Sequence, residues 1–166
     1  MESAIHIQHD NPLAEDSSAL ILAHLAAMAP TAPPESRHAL PVARLAERDV
    51  VFLTARNDAG ELMGCGAMKR LDAQHAEIKS MKTADAFLRR GVATEILQAL
   101  MAIAREKGIT RLSLETGSMA FFDNAHRLYE RHGFVRCAPF GDYQEDPNSI
   151  FMTLVMAPDQ TIGNVS

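Results

Sequence analysis

The chain has 166 residues, 47% of them hydrophobic, which suffices for one well-packed domain and is short for two. Its formal charge of -5, without any Lys/Arg cluster interleaved with aromatics, speaks against nucleic-acid binding, and no stretch approaches the roughly 18 apolar residues of a membrane span, so a cytoplasmic protein is expected. Cys65 and Cys137 are too few and too far apart for a disulfide framework, and the seven histidines lack metal-ligand spacing, so no metal is expected.

In chain order, residues 4–9 alternate Ile5 and Ile7 with polar neighbours, as a strand does, and Asp10 can cap a helix after it. Residues 11–28 carry Leu13, Leu20, Ile21, His24, Leu25 and Met28 at helical spacing. Pro30, Pro33 and Pro34 make a loop, and residues 35–47 read as a second helix on Leu40, Ala43 and Leu45. Residues 50–56 form an apolar strand, Asn57-Asp58-Ala59-Gly60 a hairpin turn, and residues 61–70 the returning strand, on which Gly64 and Gly66 leave the surface open. A further strand covers 77–83. The helix after it presents Ile96, Leu97, Leu100, Met101, Ile103 and Ala104 and stops at Lys107-Gly108. Residues 111–115 read as a strand, 121–132 as a helix closed by Gly133, and 134–138 and 149–156 as the last two strands. Strand, helix and strand around Gly91 imply one parallel pair in an otherwise antiparallel sheet. Residues 1–157 make a single domain, with 158–166 a flexible tail.

The stretch with most chemical content is Leu88, Arg89, Arg90, Gly91, Val92, Ala93 and Thr94, lying between a strand and a long helix. Gly91 and the small Ala93 allow close approach to the backbone, the first-turn N–H groups lack intrahelical partners, and the macrodipole adds roughly half a positive charge. A pyrophosphate suits such a site. Gly-x-Gly-x-x-Gly and Gly-Lys-Ser/Thr are both absent, which excludes a dinucleotide fingerprint and a Walker A loop. The alternative is an ordinary helix start with two solvated arginines.

These residues resemble motif A of the GCN5-related N-acetyltransferases (GNAT), Gln/Arg-x-x-Gly-x-Gly/Ala, with Leu88 where the motif has Gln or Arg. Ala125 to Phe134, with Leu128-Tyr129 and Gly133-Phe134, resembles the same family's motif B. The element order β-α-α-β-β-β-α-β-α-β-β is similar to that fold from end to end. Segments such as Glu77-Ile78-Lys79-Ser80-Met81 and Leu112 to Ser118 resemble a bacterial subgroup of acetyltransferases, some of whose members have been linked to indole-3-acetic acid metabolism. The resemblance implies an α/β (α+β) GNAT fold, a mixed, mostly antiparallel sheet of about seven strands flanked by four helices. One departure stands out: Phe122 occupies the position where the family usually carries an Asn that helps hold the pantetheine arm.

The implied activity is direct acetyl transfer from acetyl-CoA, as acyl-donor co-substrate, to a primary amine of a small molecule. Alternatives are a protein or peptide acceptor, or a non-catalytic acyl-CoA sensor. By resemblance, Met81, Lys82 and Thr83 pair with pantetheine and residues 88–94 hold the pyrophosphate. Tyr129 is the candidate acid for the leaving thiolate, a core-packing role being its alternative. Glu77 and Glu115 are the candidate bases, with Glu77 preferred, and either is equally readable as a strand-edge carboxylate paired with Lys79, Lys82 or Arg111. His38 and His126 are weaker candidates. The acceptor side falls on Ser36, Arg37, His38, Phe140, Asp142 and Tyr143, where Asp142 and Tyr143 suit an ammonium and Arg37 a carboxylate. A polar loop is the plain alternative, and a homodimer stays open.

Overall fold

The computed structural model describes residues 4–28 and 42–157. Seven strands form one sheet in the order β1-β2-β3-β4-β5-β7-β6: β1 (His6–His9), β2 (Val50–Arg56), β3 (Leu62–Arg70), β4 (His75–Thr83), β5 (Arg111–Gly117), β6 (Val135–Arg136) and β7 (Ser149–Val155). Three α-helices accompany it among the described residues: α1 (Glu15–Met28), α2 (Val92–Glu106) and α3 (Asp123–Arg131). Every strand pair is antiparallel except β4 with β5, as the strand, helix, strand unit predicts.

Local chemistry moves several expected boundaries. Asn11 accepts the Leu13 N–H through Oδ1 and the Ala14 N–H through its carbonyl, making a turn at Pro12 that delays α1 to Glu15. Of the expected second helix, the described part is a 3₁₀ turn at Val42–Ala46, and the rest lies outside the described residues, as does the tail at 158–166. Another 3₁₀ turn, Ala120–Phe122, precedes α3. The expected strand at 134–138 narrows to Val135–Arg136.

The sheet has two unlike faces. One packs on α2, whose buried side chains Val92, Ile96, Leu97, Leu100, Met101 and Ala104 recur at helical spacing against Leu53, Met68, Ile78, Leu112 and Leu114. Opposite it, Ile21 of α1 and Leu45 pack on Phe52, Cys65 and Ala67. Gly64 and Gly66 do not leave an open surface: a Cβ on Gly64 would lie 2.8 Å from the Lys82 carbonyl oxygen and 2.9 Å from Val92 Cγ1, and one on Gly66 2.6 Å from Ile96 Cγ2. At these glycines side chains of α2 and atoms of β4 pack directly onto the β3 backbone.

A polar cluster ties β1, β2 and α1 together. Asp10 accepts hydrogen bonds from Thr54 Oγ1 at 2.6 Å and from Arg56 Nη2 at 3.0 Å, while Arg56 Nη1 reaches Asp16 at 2.7 Å. Burial alone would raise the Asp10 carboxyl, but bonds from Thr54, the Asn11 N–H, Arg56 and Gln8 outweigh it and hold it at about 2. A carboxyl depressed below its ordinary 3.8 stabilises the fold fully above that value and loses the contribution as pH falls through about 2. Asp10→Asn should therefore cost about 1–2 kcal/mol at pH 7. Urea unfolding of parent and variant should give curves that converge as the pH is taken from 4 toward 2.

Candidate active site

The cleft begins where β4 and β5 part. Their parallel pairing covers His75 with Arg111, Ala76 with Leu112 and Glu77 with Ser113, and goes no further. The cause is a bulge on the other edge of β4: Cys65 pairs with Lys82 and Ala67 with Lys79, so Gly66 faces both Ser80 and Met81. Ser80 takes a φ of 55°, unusual for a residue with a Cβ, and Met81 turns onto the space that Gly66 leaves, where a Cβ would stand 2.5 Å from its Sδ. The second half of β4 thereby swings away from β5. Beyond Glu77 its edge toward β5 has no ladder partner among the described residues.

A cleft of about 780 Å³ opens into that gap. Met81, Lys82 and Thr83 form one wall, and Leu88, Arg89, Gly91, Val92, Ala93 and Thr94 the end at the start of α2. Arg89 and Gly91 have φ of 64° and 81°, so the loop turns its backbone through left-handed conformations into the helix. Arg90 is the exception in this stretch. It does not line the cleft and instead lies over the Phe87 ring, 5.6 Å from its centroid.

Glu77, Glu115, Tyr129 and Tyr143 line the same cleft from four elements. Glu77 is buried on β4 with Lys79, their side chains 7% and 10% exposed and Nζ 3.0 Å from Oε2. Glu115 accepts from Ser149 Oγ at 2.7 Å and lies within β5, which runs two residues past it to Gly117. Tyr129 is buried on α3 with its ring edge-on to Phe134, and burial pushes its hydroxyl well above the usual phenol range. His126 is held by Gly117 O, 2.8 Å from Nε2, which pins α3 to the end of β5.

The expected acceptor residues divide. Tyr143 is in the cleft; Asp142 is exposed and does not line it, because the turn that carries both points one inward and the other to solvent. Ser36, Arg37 and His38 lie outside the described residues. Phe140 is buried against Tyr143, His75 and Phe151. Phe122, in place of the usual Asn, lays its ring on Gly117, where a Cβ would stand 2.0 Å from Cε2. That close approach gives Gly117 its reason.

Sequence patterns alone did not point to His24, Lys79 or the two arginines Arg127 and Arg131 as cleft residues, yet all four line it. His24 reaches it from α1, and burial followed by the nearby Lys82 charge depresses its imidazole to about 4, leaving it neutral at pH 7. The helical periodicity that placed His24 among apolar residues was its signal. Cys65 is buried with its thiol pushed up to about 12 by burial, unsuited to act as a thiolate nucleophile. Among the described residues there is no group of three His, Cys, Asp or Glu that could hold a metal ion, and no helix long and apolar enough to cross a membrane.

The model of the acetyltransferase (GNAT) family matches residues 21–134 of this sequence. The chain belongs to the GNAT family. YsnE of Bacillus subtilis, an uncharacterized N-acetyltransferase, is 48% identical over 90% of this chain and 98% of its own. YedL of Escherichia coli, also an uncharacterized N-acetyltransferase, is 44% identical over 87% and 90%. An IAA acetyltransferase of Azospirillum brasilense is 35% identical over 72% and 77%. Among solved structures, a proposed acyl-CoA N-acyltransferase of Klebsiella pneumoniae superposes with a TM-score of 0.77 at 29% identity, covering 94% of this chain and all of that one. A GNAT acetyltransferase of Elizabethkingia anophelis with acetyl-CoA bound has the same fold, with a TM-score of 0.66 at 17% identity over 93% of this chain and 100% of its own. This GNAT protein is thus an acyltransferase, from a family that uses acetyl-CoA as donor.

The walls of its cleft meet at Gly64. Gly64→Ala should force the Lys82 carbonyl and Val92 apart and cost about 1–3 kcal/mol, read as a lower denaturant midpoint with an unchanged slope.

Proposed function

We propose that this GNAT enzyme transfers an acetyl group from acetyl-CoA directly to the primary amine of a small molecule. The observation that carries the reading is the gap between β4 and β5, which opens beside the unpaired N–H groups at the start of α2 and is flanked by Tyr129 and Glu77. A thioester laid along β4 would hydrogen-bond to the free edge at residues 81–83, as an added strand does, with its diphosphate against the N–H groups from Arg89 to Thr94. Acetyl-CoA supplies the activated acyl carbon. The chain's own residues position the amine, take its proton and protonate the thiolate.

Tyr129 is the proposed acid. Burial keeps its phenol protonated at any working pH and makes a lasting phenolate costly, so its O–H would hydrogen-bond the sulfur as negative charge develops there and recover any proton it passes. Glu77 is the proposed base, with Glu115, which accepts from Ser149 and lines the same cleft, as a water-mediated helper. The Cys65 thiol is held protonated by burial and neither Cys65 nor Cys137 lines the cleft, which favours direct transfer over a cysteine acyl-enzyme. Tyr143 and Lys79 place a polar rim where the acceptor would enter, while Asp142 has no part in it.

The deciding experiment is release of CoA thiol from acetyl-CoA across amines, amino acids, peptides and IAA, the compound in the Azospirillum relative's name. Small primary amines should turn over fastest. Faster turnover of peptides, or of IAA, would replace the proposed acceptor. Gly91→Glu puts bulk and negative charge where the diphosphate would lie, and calorimetry should show acetyl-CoA binding lost; parental affinity would refute that placement. Tyr129→Phe should lower kcat by about 10²-fold with little change in acetyl-CoA affinity. Unchanged turnover would return Tyr129 to core packing.

A further inference from the structure

Glu77, Lys79 and Tyr143 make a closed three-way contact inside the cleft. The Tyr143 hydroxyl donates to Glu77 Oε2 at 2.5 Å, and Lys79 Nζ donates to that same oxygen at 3.0 Å and to the Tyr143 oxygen at 3.2 Å. Tyr143 does not swing freely. Its ring packs on Phe140 at 5.1 Å and Phe151 at 5.4 Å between centroids, and the Lys79 ammonium stands 5.8 Å from its centroid. Glu77 is buried, whereas Tyr143 is half-buried, so the phenol is the more open of the two to an amine entering the cleft.

We propose that Tyr143 is a catalytic proton relay between the acceptor's ammonium and Glu77. This rests on the acetyltransferase reading above and goes beyond it by naming the atom that first receives the proton. One N–H bond of the ammonium breaks as its proton moves to Tyr143 Oη. In the same event the O–H bond of Tyr143 breaks as its own proton moves to Glu77 Oε2. The ammonium becomes a neutral amine, the carboxylate a carboxylic acid, and Tyr143 is a neutral phenol before and after. The nitrogen lone pair so freed forms the C–N bond as the C–S bond breaks, and the leaving thiolate takes the Tyr129 proton. The second proton that nitrogen loses in becoming an amide restores Tyr129 by way of water, and Glu77 returns its own proton to water.

The surroundings favour a relay over a free tyrosinate. Burial first, then the Glu77 charge and the hydrogen bond to it, push the Tyr143 hydroxyl far above the ordinary phenol range, so a phenolate would be costly while a passed proton would not. The titratable groups facing this contact are Lys79 and His75 on β4, Glu115 on β5, whose charge also bears on Tyr143, and His24 of α1 across the cleft. His75 is depressed by burial and by Arg111, and His24 by burial and by Lys82, while the Tyr143 hydroxyl directs its proton at the Glu77 carboxylate. Lys79 holds both oxygens of the relay in register.

The test uses parent, Tyr143→Phe, Glu77→Gln and the double variant, with an amine that the parent acetylates. Tyr143→Phe keeps the ring packing, and calorimetry should find its acetyl-CoA affinity unchanged, which also reports a folded protein. Its kcat should fall by about 10²-fold, and its kcat/KM should climb with pH as free amine accumulates, since deprotonation is left to solvent. Two residues acting as one unit lose their effect together, so the double variant should be no slower than the slower single variant. Losses that multiply, or a Tyr143→Phe variant with the parental rate and pH profile, would overturn the relay and leave the acetyltransferase reading intact. A parent that binds acetyl-CoA but releases no thiol with any amine would overturn that reading and the relay with it.

Discussion

Everything at the site depends on a one-residue mismatch between β3 and β4. Two β4 residues, Ser80 and Met81, face Gly66 alone, and the strand must bend to accommodate them. A straight β4 would continue its parallel ladder with β5, satisfying its own backbone and closing the sheet. The bend forfeits those hydrogen bonds. In return, backbone donors and acceptors on a cleft wall are left without ladder partners among the described residues, beside the N–H groups at the start of α2 that no helical carbonyl can satisfy. Gly66 makes the arrangement possible because no other residue leaves room for Met81 and Ile96 at once.

The sheet's second face shows how a charged site survives under burial. Glu77 and Lys79 alternate outward from the α2 face, and the 137–148 segment folds over them with Phe140 and Tyr143. A buried ion pair gains little net stability unless its remaining valences are filled. Here Tyr143 fills one on the carboxylate, and Lys79 spends a donor on the phenol. Next to it, His75 meets Ser113 at 2.7 Å, Ser113 meets Thr153 at 2.9 Å, and Arg111 donates to Thr153, a network that carries the polar stripe along the sheet and ends on the Arg111 guanidinium.

Legibility in the sequence followed the range of the interaction. Strand, helix and turn signals and the loop from Leu88 to Thr94 are written in contiguous residues, since a helix start presents its N–H groups through local geometry alone. Tyr129, which lines the cleft, was legible as a candidate for the same reason, within one stretch of ten residues. The partners of Glu77 were not all legible: Tyr143 lies 66 residues away, and its position depends on how an irregular segment folds onto the sheet. Lys79 was legible as an ion-pair partner, but in sequence terms that pairing stands as the alternative to a catalytic Glu77, whereas the structure joins pair and phenol in one contact. Gly64 and Gly66 gave a real signal that was read the wrong way, as an exposed surface instead of a place of closest packing.

The parted strands also answer a geometric question about the proposed chemistry. Side chains on successive strand positions point to opposite faces, so Glu77 and Lys79 lie with Tyr143 on the α1 face, while Tyr129 belongs to the cluster packed on α2. An intact sheet would keep these groups on opposite sides of a hydrogen-bonded wall. Only where that wall is interrupted do residues of both faces line one space. Acyl transfer to an amine calls for a proton to be taken from the nucleophile on one side of the reacting carbon and another to be given to the leaving group on the other side. A gap between two strands is a direct way for a single sheet to offer both, which ties the bulge at Ser80, by a chain of local constraints, to the separation of proposed base from proposed acid.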